Sequence, residues 1–152
     1  MRIALDTNIL AYLAGVSRSP DDEEKINRAR VLVEQLARSA TLLAPAQTLG
    51  ELFVVLRRSG ASPTDARNIV LRNAEAFAPS PSEAQTLVAA LDLAVDHRFQ
   101  FWDGLIVTSA VEAGCSLLLS EDMQDGFLVR GMTIVNPLNV KPHAKLAALL
   151  AA

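Results

Sequence analysis

Short apolar segments alternate along this chain with longer segments of helical periodicity, and this alternation restricts the fold more than any other feature. Four segments have the length and composition of buried strands: residues 2–5, 41–44, 116–120 and 132–135. Strands that alternate with helices form units whose strands run parallel. We therefore predict an α/β fold with a central parallel β-sheet of about four to five short strands, flanked by α-helices on both faces.

The helical segments begin and end at residues that favour helix termini. Pro45 opens one helix, where its missing N–H costs nothing, and Gly60 closes it. Pro63 opens the next, and Pro79 and Pro81 mark a break after it. The predicted helices run from a cap at 6–8 to residue 15, and over about 22–39, 45–60, 63–77, 84–95 and 102–113.

Composition bounds the domain count and the compartment. The chain has 152 residues, about half of them apolar, which favours one domain with a sizeable core. Cys115 is the only cysteine, so an intramolecular disulfide is impossible and a reducing cytoplasm fits. Asp6 and Asn8 interrupt what would be the apolar region of a signal peptide. We expect a cytoplasmic protein without a membrane span.

Four acidic residues stand where the chain passes from one element to the next. Asp6 follows the first strand, and Asp122 follows the strand at 116–120. Asp103 lies in the first turn of its helix, where the helix dipole favours an anion. Glu51 lies on an apolar helix face. Because side chains beyond the carboxyl ends of parallel strands converge on one crevice, we expect these acids to meet.

Carboxylates brought so close together repel one another, and some would take up protons if left alone. A bound Mg²⁺ or Mn²⁺ removes the repulsion, because these ions prefer hard oxygen ligands. Such ions can position water, neutralise a phosphodiester and stabilise the leaving oxygen. The acidic set is therefore typical of a magnesium-dependent phosphodiesterase.

Each acid also has a structural interpretation. Asp6 and Asp103 could be helix N-caps. Asp122 could be a turn residue, since the sequence SEDMQDG is rich in turn formers. Glu51 could form an ion pair with an arginine further along its helix. The four acids together are less easily explained in this way than any one of them.

Other chemistry-bearing residues give weaker signals. His97 and His143 are the only histidines and are interpreted as structural or surface residues, since a histidine metal site needs more ligands at matched spacing. Phe99, Phe101 and Trp102 precede Asp103 in the chain and could stack on bases. Packing beneath the helix is the preferred interpretation of these three aromatic residues.

Three motifs together resemble a PIN domain, and most closely the VapC-type toxins of bacterial toxin–antitoxin pairs. They are LDTNILAYL at the N-terminus, a mid-chain helix glutamate, and FWDGLIVTSAVEAGCSLLLSEDMQDG before a final strand and proline. The resemblance implies a PIN-like domain over residues 1–137 and a C-terminal tail, with a helix candidate, over 138–152. It also implies an acidic site for Mg²⁺ or Mn²⁺, endoribonuclease activity on RNA, a cognate antitoxin as partner, and a homodimer.

The resemblance assigns roles by motif position. Asp6 and Asp103 resemble the principal metal ligands, and Glu51 and Asp122 resemble two further acids of the catalytic set. Asp125 matches an additional acidic position that would also contact metal. Small polar residues that orient the acids or water are matched by Thr7, Asn8 and Ser120. The net charge of −3 requires any RNA surface to be local, and the candidate arginines are Arg57, Arg58, Arg67 and Arg72.

The sequence is also compatible with two other functions. Asp6 could be the acyl-phosphate nucleophile of a phosphotransferase or phosphatase, although that chemistry usually requires a second aspartate where this chain has Asn8. The chain could instead be a catalytically silent PIN-like module that binds a partner or RNA without turnover.

Overall fold

The computed structural model describes residues 1–152 and has a six-stranded β-sheet at its centre. The strands are β1 (Arg2–Leu5), β2 (Thr41–Pro45), β3 (Ala78–Ser80), β4 (Leu117–Leu119), β5 (Leu128–Val129) and β6 (Met132–Val135). The helices are α1 (Thr7–Leu13), α2 (Asp22–Ala37), α3 (Ala46–Arg58), α4 (Pro63–Ala76), α5 (Ala84–His97), α6 (Phe101–Glu112) and α7 (Ala144–Leu150).

The strand order is β3-β2-β1-β4-β6-β5, and only the β5–β6 pair is antiparallel. β1 lies between β2 and β4, with Ile3 opposite both Leu42 and Leu117. The segments that leave the carboxyl ends of β1, β2 and β4 therefore start side by side at one edge of the sheet.

The predicted α/β fold is confirmed, whereas the predicted number of strands is slightly low. The structure adds β3 and β5 to the four predicted strands. Pro79 lies at the centre of β3, where the sequence indicated a break. A proline is tolerated there because β3 is an edge strand that bonds only to β2. β5 has only two residues, too few for a periodic signal.

Side chains alternate between two cores, one on each face of the sheet. In β1, Ile3 and Leu5 enter the larger core, whereas Ala4 enters the smaller one. In β4, Leu117 contributes to the larger core and Leu118 to the smaller. Burial on both faces is why these strands read as continuous apolar runs rather than as alternating ones.

The C-terminal segment packs on the larger core through α7. Leu146 is fully buried in that core. Lys145 donates from Nζ to Oγ1 of Thr133 at 2.7 Å, which ties the helix to β6. None of the seven helices has both the length and the apolarity that crossing a membrane requires.

Candidate active site

The four acids singled out in the sequence line one open cleft of about 500 Å³. It lies beyond the carboxyl ends of the central parallel strands, as expected for an open α/β sheet. Its polar lining consists of Asp6, Thr7, Asn8, Arg18, Glu51, Arg58, Gln100, Asp103 and Asp122. The structure therefore brings together residues separated by more than a hundred positions in the chain.

Asp6 is the most buried of these carboxylates and links β1, α1 and β4. It is the N-cap of α1, and its Oδ1 accepts from the backbone N–H of Thr7 at 2.7 Å. Its Oδ2 accepts from the hydroxyl of Ser120 at 2.7 Å. Its own N–H donates to the carbonyl of Leu119 at 2.9 Å. Asp6 therefore serves as a cap and also presents its carboxylate to the cleft.

Burial raises the pKa of Asp6 to about 6. The hydrogen bonds from Ser120 and Thr7 oppose this effect, while the negative charges of Asp103 and Glu51 add to it. Burial also raises the pKa of Asp103, with Glu51 and Asp122 as the next causes. The neighbouring carboxylates are thus close enough to disfavour the ionised forms of Asp6 and Asp103.

Glu51 is held by neutral donors. Thr7 donates from its hydroxyl to Glu51 Oε2 at 2.6 Å, and Gln47, one turn earlier on α3, donates to Oε1 at 2.9 Å. The alternative of an ion pair with an arginine on the same helix is not found, since Arg57 donates to the carbonyl of Ala61 instead. Thr7 was predicted to orient an acid, whereas no local signal in the sequence pointed to Gln47.

Asp103 and Asp122 complete the acidic lining from two different elements. Asp103 lies in the first turn of α6, as predicted, and is partly buried. Asp122 lies three residues beyond β4 and is exposed, with the side-chain amide of Asn8 as its hydrogen-bond donor. The small polar residues of the LDTN motif thus hold acids from other parts of the chain.

None of the four carboxylates has a cationic partner. The molecule contains two ion pairs, Lys25–Glu121 and Arg38–Glu34, and neither includes a residue of the acidic lining. Gathering like charges without compensation is costly, so the site is electrostatically suited to a cation. No three acidic, histidine or cysteine side chains converge closely enough to hold a metal ion by themselves. Carboxylate oxygens are the ligands that Mg²⁺ prefers, and this ion usually keeps several waters and needs only one or two protein carboxylates.

Asp125 does not line this cleft. Its Oδ1 accepts from the backbone N–H of Asn136 at 2.8 Å, and its Oδ2 accepts from the side-chain amide of Asn139 at 3.2 Å. Both oxygens therefore fix the segment that follows β6. This arrangement favours a structural role for Asp125 over the metal contact predicted from the family resemblance.

The rim of the cleft carries two arginines. Arg58 lines it, whereas the other three candidate arginines do not. Arg18, from the polar loop between α1 and α2, also lines it and was missed in the sequence. No local pattern distinguishes Arg18 from any other loop arginine, because its position depends on how α1 and α2 pack.

Neither histidine lines the cleft, and none of the three aromatic residues that precede Asp103 does. His143 accepts from the N–H of Lys145 at the start of α7. His97 and Phe99 each pack edge-on against Phe127. Trp102 is 57% exposed, so the preferred interpretation of packing beneath the helix is wrong for this residue.

Comparisons with known proteins agree on the family and the fold of this chain. The family model of the PIN domain matches residues 3–125, and no curated protein sequence matches the chain. VapBC2 from Rickettsia felis, bound to a DNA fragment from its promoter, has a similar fold: TM-score 0.65, 16% identity, 88% of this chain and 97% of that one. A toxin–antitoxin complex from Klebsiella pneumoniae has a TM-score of 0.66 and 17% identity, and the match covers 91% of this chain and 99% of that one. VapC20 of Mycobacterium tuberculosis, a sarcin-ricin loop cleaving toxin, has a TM-score of 0.58 and 19% identity, with 76% of this chain and 86% of that one covered.

Proposed function

Because the chain belongs to the PIN domain family, we propose that it is a divalent-metal-dependent endoribonuclease and the toxin of a type II toxin–antitoxin pair. One observation carries the proposal: four carboxylates from four parts of the chain line a single cleft, and none has a cationic partner. Mg²⁺ is the expected ion, and Mn²⁺ offers similar oxygen coordination.

Asp6 and Asp103 would hold the ion, with Glu51 and Asp122 as further oxygen donors. When bound, it would supply Lewis-acid neutralisation of the phosphodiester and activation of a water for attack. The acids themselves set the geometry and the charge of the site. Burial raises the pKa of Asp6 and of Asp103, and the charges of neighbouring acids add to the rise, which supports a site that a divalent cation would stabilise.

Three small polar side chains each orient one of these acids, all except Asp103. Ser120 holds Asp6 through a hydrogen bond of 2.7 Å, and Thr7 holds Glu51 through one of 2.6 Å. Asn8 does the same for Asp122. Residues that hydrogen-bond to metal ligands fix the orientation of those ligands. Their loss typically reduces metal affinity or activity about 10- to 100-fold.

A toxin of this kind also requires protein partners. Two of the similar structures are of toxin–antitoxin assemblies, which supports a cognate antitoxin for this chain. An exposed apolar stripe on α5 supports a homodimer, and its members are Leu87, Val88, Leu91 and Val95. Light scattering on purified protein measures the self-association, and relief of growth arrest by a co-expressed antitoxin measures the pairing.

The test of the proposed activity is cleavage of a mixed cellular RNA pool with Mg²⁺, with Mn²⁺ and with EDTA. Wild-type protein is expected to give discrete cuts that depend on metal. Asp6→Asn and Asp103→Asn keep the shape of the side chain and remove its charge, so each is expected to abolish the cuts. Asp96→Asn, at an exposed position of α5, is the matched control and should cleave normally.

Cleavage that survives Asp6→Asn and Asp103→Asn would contradict the proposed site. Absence of cleavage with either metal, together with tight partner or RNA binding, would favour a catalytically silent PIN-like module. Calorimetric titration of the wild-type protein with Mg²⁺ then separates two explanations for the absence of cleavage. Mg²⁺ binding that is lost in Asp6→Asn indicates a nuclease whose target was missing from the pool, whereas no Mg²⁺ binding indicates the silent module.

A further inference from the structure

A second pocket, of about 260 Å³, adjoins the acidic cleft. The two cavities share three lining residues, Asn8, Arg18 and Asp122, so they lie side by side. Ala11, Tyr12 and Val16 give the smaller pocket an apolar wall. The smaller pocket is therefore adjacent to the position that a phosphodiester over the acids would occupy.

Arg18 is the only basic residue at the junction of the two cavities. Its guanidinium makes no hydrogen bond or ion pair within the protein, and its side chain is exposed. Lys25, the other cation of the pocket, is already paired with Glu121. Arg18 therefore has its full set of donors available for an anion, and a guanidinium can bind a phosphate through two parallel hydrogen bonds.

Asp22 fixes the loop that carries Arg18. This buried carboxylate accepts from the backbone N–H of Arg18 at 2.7 Å and from that of Ser19 at 3.1 Å. The backbone N–H of Asp22 in turn donates to the carbonyl of Ser19 at 3.1 Å. The loop is thus held against the start of α2, which limits the positions that the guanidinium can reach.

We propose that Arg18 binds the RNA phosphate adjacent to the scissile one, with its nucleotide in the neighbouring pocket, and that Asp22 positions Arg18 for this contact. The proposal rests on the ribonuclease function proposed above. An acidic cleft repels RNA, so binding requires positive charge at its rim, and this arginine is the free cation where the two cavities meet.

Binding is measured by fluorescence anisotropy with a short, labelled, single-stranded oligoribonucleotide of mixed sequence, in Mg²⁺ and at several salt concentrations. The protein carries Asp6→Asn throughout, to prevent cleavage. Arg18→Gln is expected to weaken binding about tenfold and to reduce the salt slope by about 0.7, the value for one phosphate contact on a single strand. Arg38→Gln, at the other end of α2, is the matched control and should leave both quantities unchanged.

Asp22 is tested by its effect on Arg18. Asp22→Ala removes a negative charge, which by itself would strengthen RNA binding, yet the proposal expects weaker binding because the loop is released. Asp22→Asn keeps an acceptor oxygen and should restore affinity. Arg18→Gln with Asp22→Ala should bind no worse than Arg18→Gln alone, because both changes remove the same contact. Circular dichroism and thermal melting identify any variant that fails to fold.

Cleavage kinetics give a second readout in the protein with Asp6 intact. Arg18→Gln should raise KM more than it lowers kcat, whereas Asp103→Asn should lower kcat. If Arg18→Gln binds RNA like its parent with the same salt slope, the inference is overturned and the ribonuclease function stands. If the wild-type protein neither binds nor cleaves RNA, the proposed function is overturned and the inference with it.

Discussion

Glu121 and Asp122 are adjacent in sequence, yet they belong to two regions with opposite electrostatic character. Glu121 forms an ion pair with Lys25 and accepts from the hydroxyl of Tyr12 at 2.5 Å. Asp122 receives only the amide of Asn8 and faces the other unpaired acids of the cleft. In the first region, here called the closed region (Glu121, Lys25 and Tyr12), the negative charge is compensated by a lysine. In the second region, the cleft, the acids have no cationic partner and can accept a cation.

The pKa values express the same difference. Burial and the hydrogen bond to Glu121 raise the pKa of Tyr12 to about 12, and the hydrogen bond to Glu121 raises the pKa of Lys25. Both shifts keep the protons on the partners of Glu121. In the cleft, burial raises the pKa of two acids, Asp6 and Asp103, and no cation opposes this effect. What surrounds a carboxylate, rather than its residue type, distinguishes a structural acid from an acid of the site.

The sharpest test of this comparison exchanges the two neighbouring acids for their amides. Asp122→Asn is expected to reduce metal-dependent RNA cleavage by about 10- to 100-fold, the typical cost of disturbing the groups that hold and orient a catalytic metal. Glu121→Gln should reduce it only a few-fold, since Glu121 faces Lys25 and Tyr12. Initial rates on one RNA measure both, and equal losses would break the comparison.

Stability without metal is the second test. The folded-state pKa of Asp6, about 6, lies above its ordinary value of 3.8, so folding favours the protonated form. The contribution of Asp6 to the free energy of unfolding is complete below pH 3.8 and is lost as the pH rises through about 6. At neutral pH the free energy of unfolding is lower by about 3 kcal/mol for this reason.

Asp6→Asn should therefore raise the free energy of unfolding of the metal-free protein at about pH 8, by up to this amount, and change it little at about pH 4. Urea unfolding in EDTA at the two pH values measures the difference. Asp96→Asn is the control, because it is exposed and away from the cleft. If Asp6→Asn raises the free energy of unfolding equally at both pH values, the uncompensated charge of Asp6 is not the source of the gain.

The affinity for Mg²⁺ should rise with pH, whereas the contribution of Asp6 to the stability of the metal-free protein falls with pH. If Mg²⁺ binds Asp6 as proposed, it requires the ionised carboxylate, so protons compete with the ion once the pH falls below about 6. The apparent affinity should then decrease roughly tenfold for each further pH unit. Isothermal titration calorimetry at about pH 5 and about pH 7.5 measures it. Affinity that is flat across this range would exclude Asp6 as a ligand.

The smallest effect is expected in the closed region. Lys25→Met removes the cation of Glu121 but leaves the hydrogen bond from Tyr12. The Lys25 side chain is 35% exposed, so solvent screens the pair and the free energy of unfolding should fall by no more than about 1 kcal/mol. A loss of cleavage as large as that of Asp122→Asn would show that the two regions act as one.

The sequence was sufficient for the fold class and for the main elements. The strands at 2–5 and 132–135 have the predicted bounds, and the helix opened by Pro63 ends within one residue of its prediction. These predictions succeed because periodicity, caps and prolines act over a few residues. β3 and β5 were missed because an edge strand needs little signal of its own once a neighbour offers its hydrogen bonds.

The meeting of the four acids also followed from the sequence, through the rule that ligands bind at the carboxyl ends of parallel strands. Their roles as metal ligands remain predictions. Asp125 shows the limit of motif position, since it stands only three residues after Asp122 yet fixes the segment beyond β6 instead of lining the cleft.

By itself the sequence determined which residues form strands and helices and where the acids stand along them, because those properties depend on neighbours in the chain. Only the tertiary structure decided which acids are compensated and which are left open. Lys25 reaches Glu121 across 96 positions, and Asn8 reaches Asp122 across 114. Charge pairing acts through space, so only the packing of α1, α2 and the loop after β4 separates the closed region from the site.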